Sequence, residues 1–204
     1  METNKDKVSY LIGREIAGNL IDQSLDLNTE FLFKGIESRL SGEDSTLSQE
    51  ESGKVMNEFQ RKLGEKLDAE RKAVAEKNKK AGEDFLAENS KKDGIESTDI
   101  GIQYRIIHAG TGQKPERSST VETHYEGTLI DGEVFDSSVK RGQTAIFPVS
   151  GVIQGWQEIL QLMPEGSKWE VFIPWNLAYG ETGSPPQIGP YSALIFTIEL
   201  ISIK

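Results

Sequence analysis

Apolar residues follow three different rhythms along the chain. Up to residue 45 they recur at steps of three and four: Val8, Leu11, Ile12, Ile16, Leu20 and Ile21, then Leu32, Ile36 and Leu40. That spacing draws one apolar stripe on each of two amphipathic helices. Asp6 is the expected N-cap of the first, Asn28 or Thr29 of the second, and Gly42 the expected stop. Two such helices cannot bury their own stripes, because cores of fewer than about 40 residues are rarely self-sufficient. A second copy of the same chain is the economical cover. The pattern therefore predicts a homodimer through residues 1–45, helped by the start of the element that follows.

From residue 46 to 93 the rhythm thins. Ser48-Gln-Glu-Glu51 has the form of a capping box, and the next proline is Pro115. Val55, Phe59, Leu63 and Leu67 come early, then only Val74 and Phe85-Leu86. Basic and acidic residues balance, 11 against 11, as on a salt-bridged exposed face. A polar helix without a continuous apolar stripe is expected to bridge domains through solvent. Ser48 to Ser90 would span roughly 65 Å at the helical rise. Gly53, Gly64 and Gly82 are places where it is expected to weaken or bend.

Beyond Lys92-Asp-Gly94 the period falls to two. Ile102–Ile107, Val121–Gly127, Ala145–Val149, Lys168–Ile173 and Ala193–Ile203 read as strands. In the second of these Val121, Thr123 and Tyr125 face one way and Glu122, His124 and Glu126 the other. Ile130-Asp-Gly132 and Arg141-Gly142 read as turns, with Phe135-Asp-Ser-Ser138 between them. One helix interrupts the strands: Val152, Ile153, Trp156, Ile159, Leu160 and Met163 lie at helical spacing, and Pro164-Glu-Gly166 ends it. Gly155 stands beside Trp156 where a larger side chain would crowd a neighbouring backbone or a ligand. The expected architecture is an α+β domain at 94–204, preceded by a helical dimerisation domain at 1–45 and a connecting helix at 46–93.

Composition narrows the chemistry. The chain has 204 residues, no cysteine, two histidines and a net charge of -10. Thiol nucleophiles, disulfides and Cys-based zinc sites are excluded, and no cofactor or metal is implied. The acidic balance disfavours nucleic acid. No run of about 18 apolar residues suggests a membrane span. The first seven residues lack the apolar core of a signal peptide. A cytoplasmic protein is the expectation, or a periplasmic or cell-surface one from which a signal has been removed. Ala109-Gly-Thr-Gly112 lacks the third glycine of a dinucleotide loop. What remains is a set of aromatic residues beside a few polar ones: Tyr125, Phe135, Asp136, Phe147, Trp156, Tyr179 and Phe196. Such a set suits a small apolar ring such as proline. Singly, Trp156, Phe147 and Phe196 also read as core, Tyr179 as a turn residue and Asp136-Ser-Ser as a helix cap.

Six ordered phrases make the set specific: Thr123-His-Tyr-Glu-Gly127, Asp131-Gly-Glu-Val-Phe-Asp-Ser-Ser138, Val152-Ile-Gln-Gly-Trp156, Met163-Pro-Glu-Gly-Ser-Lys168, Ile173-Pro with Leu177-Ala-Tyr-Gly180, and Ala193-Leu-Ile-Phe196. By these, residues 94–204 resemble an FKBP-type peptidyl-prolyl cis-trans isomerase. The helical remainder resembles the dimeric Mip-like branch in layout. The resemblance implies an antiparallel half-barrel sheet wrapped on a short helix. It also implies isomerisation of Xaa-Pro bonds in unfolded or nascent polypeptides, with chaperone-like holding by a V-shaped homodimer, and inhibition by macrolides. Trp156 would be the pocket floor, with Tyr125, Phe135, Phe147, Val152, Ile153 and Phe196 as walls. The Ile153 N–H and the Tyr179 hydroxyl would bind ligand carbonyls, Asp136 would be the acid near the amide, and Ile188 a contact from the loop 181–191. Two departures stand out: Thr144-Ala145 where the family has an aromatic residue, and Gly189 where it commonly has proline. A non-catalytic peptide-binding scaffold of the same fold is the competing reading.

Overall fold

The computed structural model describes residues 1–22 and 25–204. They divide into two compact units, Met1–Arg61 and Lys62–Lys204. The first holds α1 (Asn4–Asp22), α2 (Thr29–Ser41) and the opening turns of α3 (Gln49–Asn89). Capping explains each start. Asn28 Oδ1 accepts from the backbone N–H groups of Glu30 and Phe31, and Ser48 Oγ from that of Glu51. At α1 the expected cap shifts by three residues. Thr3 Oγ1 accepts from Asp6 N–H at 3.1 Å, and the Asp6 carboxylate accepts from Thr3 N–H at 2.9 Å, so Thr3 is the cap and Asp6 closes the reciprocal box. Gly42 ends α2 in the left-handed conformation at φ 78°. The apolar stripes of this unit lie open: Leu11 is 61 % exposed, Phe31 66 % and Leu40 84 %, and α2 buries no residue at all.

The second unit is built on a seven-stranded antiparallel sheet: β1 (Glu96–Ser97), β2 (Gln103–His108), β3 (Thr120–Leu129), β4 (Val134–Ser137), β5 (Ala145–Pro148), β6 (Lys168–Ile173) and β7 (Leu194–Ile203). The order is β1-β2-β6-β7-β3-β4, and β5 pairs with the first half of β3. Burial alternates along β3 from Thr120 to Thr128 and along β7 from Leu194 to Ile201, as the period of two requires for a sheet with one wetter face. Two short helices interrupt the strands, α4 (Ser138–Arg141) and α5 (Gln154–Leu160). Trp156, Ile159, Leu160 and Met163 join Val121, Val171, Ile173, Ile198 and Leu200 in one core cluster. Gly155 is indeed a crowding point, but against a side chain: a Cβ there would come within 2.5 Å of Ile173 Cγ2. The helix starts later than its apolar spacing suggests. Val152 and Ile153 are extended, and Ile153 is the N-cap.

The end of α3 differs from an exposed bridge. Ala75, Asn78, Ala81, Gly82, Phe85, Leu86 and Asn89 are buried or half-buried at helical spacing. Apart from Phe85 and Leu86 they are small or polar residues, which a search for large apolar ones passes over. Asn89 Nδ2 donates to Gln103 Oε1 at 3.0 Å, Gln103 Nε2 donates to the Leu86 carbonyl at 2.8 Å, and Phe85 packs on Phe172 with ring centroids 5.9 Å apart. Gly82 has a packing role. It lies against Ala193, whose Cβ would be 2.9 Å from a Cβ at 82. The change of rhythm at residue 94 therefore falls inside the second unit. Among the described residues no helix is long and apolar enough to cross a membrane.

Candidate active site

Where the sheet curls over the start of α5 it leaves a cavity of about 320 Å³. Nine of the ten residues expected at a site line it: Tyr125, Phe135, Asp136, Phe147, Val152, Ile153, Trp156, Tyr179 and Phe196, together with Gly151, which the sequence did not single out. The tenth, Ile188, stands apart. It is 4 % exposed and belongs to the core, and its loop is pinched by paired backbone bonds with Ser184 at 2.8 and 3.0 Å.

The floor is a nest of edge-to-face rings. Trp156 meets Tyr125 and Phe196 at 5.3 Å between centroids and Phe147 at 5.9 Å, all near perpendicular. Phe135 stands on Phe196 in the same way at 5.6 Å. Such T-shaped pairs set the edge of one ring against the face of the next. Gly127 makes the last pair possible: a Cβ there would sit 2.6 Å from Phe135 and 2.8 Å from Phe196.

Tyr125 is fixed by a gap in the sheet. β5 covers β3 only as far as Thr123, and β4 begins at Glu126. The Ser138 hydroxyl fills the gap, accepting from Tyr125 N–H at 2.7 Å and donating to its carbonyl at 3.1 Å. The Asp136-Ser-Ser phrase is both a cap and a site. Ser137 Oγ accepts from Lys140 N–H and starts α4, while Asp136 faces the cavity. One carboxylate oxygen of Asp136 accepts from the Tyr125 hydroxyl and the other from Arg141, which also donates to the Tyr125 oxygen at 3.1 Å. Arg141 had been legible only as a turn residue.

Charge follows from this geometry. Burial acts to raise the Asp136 carboxyl, but the hydrogen bonds from Tyr125 and Arg141 and the arginine's charge outweigh it, leaving it below its ordinary value of 3.8. The Tyr125 phenol is pushed up, first by burial and then by its bond to Asp136. Tyr179 is pushed up by burial and by the Asp136 charge. At neutral pH the cavity therefore holds one ionised carboxylate, tied on both sides, and two neutral phenols among hydrocarbon rings. Among the described residues no cluster of three acidic or histidine side chains is placed to hold a metal ion.

The chain as a whole has known relatives. Residues 111–201 match the model of the FKBP-type peptidyl-prolyl cis-trans isomerase, and residues 5–106 that of the domain amino-terminal to it. The outer membrane protein MIP of Legionella longbeachae is 49% identical over 204 residues, 100% of this chain and 88% of the relative. The chain belongs to the FKBP-type peptidyl-prolyl cis-trans isomerases. The FKBP-type 22 kDa peptidyl-prolyl cis-trans isomerase of Escherichia coli strain K12 is 43% identical over 203 residues, 99% of this chain and 97% of the relative. The crystal structure of FkpA from Escherichia coli matches with a TM-score of 0.79 at 32% identity, over 100% of this chain and 98% of the other. As an FKBP-type isomerase the protein accelerates rotation about Xaa-Pro peptide bonds, and its sheet-on-helix domain is the FKBP fold.

Proposed function

We propose that the ring-lined cavity is where the isomerase twists its substrate, with Asp136 acting mainly through Tyr125 and Arg141. Rotation about an Xaa-Pro bond faces a barrier of roughly 18–20 kcal/mol, because amide resonance must be broken. No nucleophile is required, only tighter binding of the twisted amide than of the planar one. The twisted carbonyl is less polar, so a dry pocket of rings suits it better than water does. A thousandfold acceleration needs only about 4 kcal/mol of such preference. Trp156 would support the proline ring, with Phe147 and Phe196 at its sides. Ile153, as N-cap, has a backbone N–H outside the hydrogen-bonded ladder of α5, free for a ligand carbonyl. The Tyr179 hydroxyl would bind a second carbonyl. The observation that carries this reading is the tied carboxylate in an otherwise aromatic cavity.

The test is prolyl exchange on a short Xaa-Pro peptide with the full chain, with and without rapamycin. Fast exchange blocked by the macrolide is the expected result. A folded sample that binds the peptide without accelerating exchange would shift the reading to a scaffold.

We also propose that the open stripes of α1 and α2 close against a second copy, and that two isomerase domains so joined hold unfolded, proline-containing polypeptides through two linked weak contacts. The support is the exposure of Leu11, Phe31 and Leu40 along α1 and α2. Isolated apolar residues on a surface are ordinary, but whole stripes mark an interface. Leu11→Glu combined with Phe31→Glu is expected to halve the mass seen by light scattering, with peptide exchange unchanged. A wild-type monomer would end this reading.

A further inference from the structure

The loop that leaves the cavity after Tyr179 returns to it at Phe196, and its far side rests on the long helix. Asn78 Nδ2 donates to the Pro190 carbonyl at 2.9 Å and reaches Ser192 Oγ at 3.4 Å. One residue on, Lys79 Nζ lies over both Trp175 and Tyr191, 5.7 and 5.9 Å from their centroids, and those two rings touch at 4.7 Å. Tyr191 holds a left-handed backbone at φ 54°, a conformation that non-glycine residues adopt only when the surroundings impose it. From there its N–H donates to the Gly180 carbonyl at 3.0 Å, directly beside Tyr179. A continuous path of contacts thus runs from the helix to a cavity wall. Gly189 lies at its entry. A Cβ at 189 would be 2.9 Å from Asn78 Nδ2, so a side chain there would press on the amide group that bonds to Pro190.

We propose that Asn78 and Gly189 are a matched pair through which the long helix positions the loop and, with it, Tyr179, making Asn78 a positioning residue for substrate binding. This rests on the assignment of Tyr179 to the substrate given above. The glycine is the opening that lets the helix grip the loop.

The test uses the full chain. Asn78→Asp keeps the shape but replaces the donor with an oxygen facing the Pro190 carbonyl, and Asn78→Ala removes the group. Gly189→Ala should disturb the same bond from the loop side. For Asn78→Asp and Gly189→Ala, KM for a short Xaa-Pro peptide should rise about three- to tenfold, the worth of one hydrogen bond, with kcat nearly unchanged. Amide exchange at Tyr191 should quicken by a similar factor. Gly189→Ala should add little once Asn78 is alanine, because the partner it displaces is gone. Lys77→Ala, on the open side of the helix, should change neither reading. If Tyr191 exchange and KM stay at wild-type values in Asn78→Asp and Gly189→Ala, the pairing is wrong. If exchange quickens and KM does not move, the contact only stabilises the loop, and the positioning role is overturned. A wild-type chain without activity would strike the cavity assignment instead, and Tyr191 exchange would still read the pairing.

Discussion

Asp136→Leu is expected to lower kcat/KM on a short Xaa-Pro peptide by about ten- to a hundredfold while the domain stays folded. The range is that of one or two hydrogen bonds to an ionised group. The carboxylate orients the Tyr125 hydroxyl with one oxygen and Arg141 with the other. Without it the Tyr125 phenol loses its acceptor, and the Arg141 side chain loses its carboxylate partner. The fold should survive because the Arg141 side chain is 50% exposed and is rehydrated when released. Asp136→Asn should fall between, since the amide oxygen can still accept one of the two bonds. A folded Asp136→Leu protein with wild-type kcat/KM would remove the residue from the mechanism. The same geometry sets a pH window. Because the folded carboxyl lies below 3.8, its contribution to stability is complete at neutral pH and is lost only as the pH falls through that depressed value. Across pH 5–8 the activity should therefore show no titration from this group.

A chain that begins at residue 94 is expected to be less stable than one that begins at residue 70 by about 2–5 kcal/mol. The cut at 94 removes Phe85 from Phe172, and Asn89 and the Leu86 carbonyl from Gln103. Loss of a half-buried aromatic contact contributes roughly 1–2 kcal/mol, and a buried amide left without partners roughly 1–3 more. Total stabilities of about 5–15 kcal/mol make this a large fraction. Urea unfolding of the two fragments measures it directly. Coincident midpoints would mean that the helix end merely rests on the sheet.

The inner face of α3 is hard to read in the sequence, for a physical reason. Val121, Thr123 and Tyr125 announce β3 because alternation of large and polar residues is a strong signal, and Asn28, Ser48 and Gly42 announce helix ends because caps are local chemistry. The inner face of α3 is made of Ala75, Asn78, Ala81, Gly82 and Asn89, residues chosen for close approach and hydrogen bonding. Their value appears only when Ala193, Pro190 and Gln103 are brought opposite them. Thr3 in place of Asp6 is a smaller case, since two residues in one reciprocal box both look like caps. The cavity rings were legible as a set through the ordered phrases. Arg141 was not, because the partner that gives it meaning lies five residues earlier and across a turn. Ile188 was expected at the cavity and is not among the residues that line it; it is buried in the core, in a loop closed by the Ser184 bridge.

The place of β7 in the sheet has a consequence for synthesis. Residues Leu194–Ile203 lie between β6 and β3, so until they are made the strands exist as two unconnected fragments, β1-β2-β6 and β3-β4-β5. Phe196, a wall of the cavity, arrives with them. On a ribosome the helices of residues 4–41, whose contacts are local, form long before this distant pairing can. Two nascent chains therefore carry the surfaces proposed to join them while neither yet has a cavity: association can come first, and catalysis waits for the final strand of the sheet.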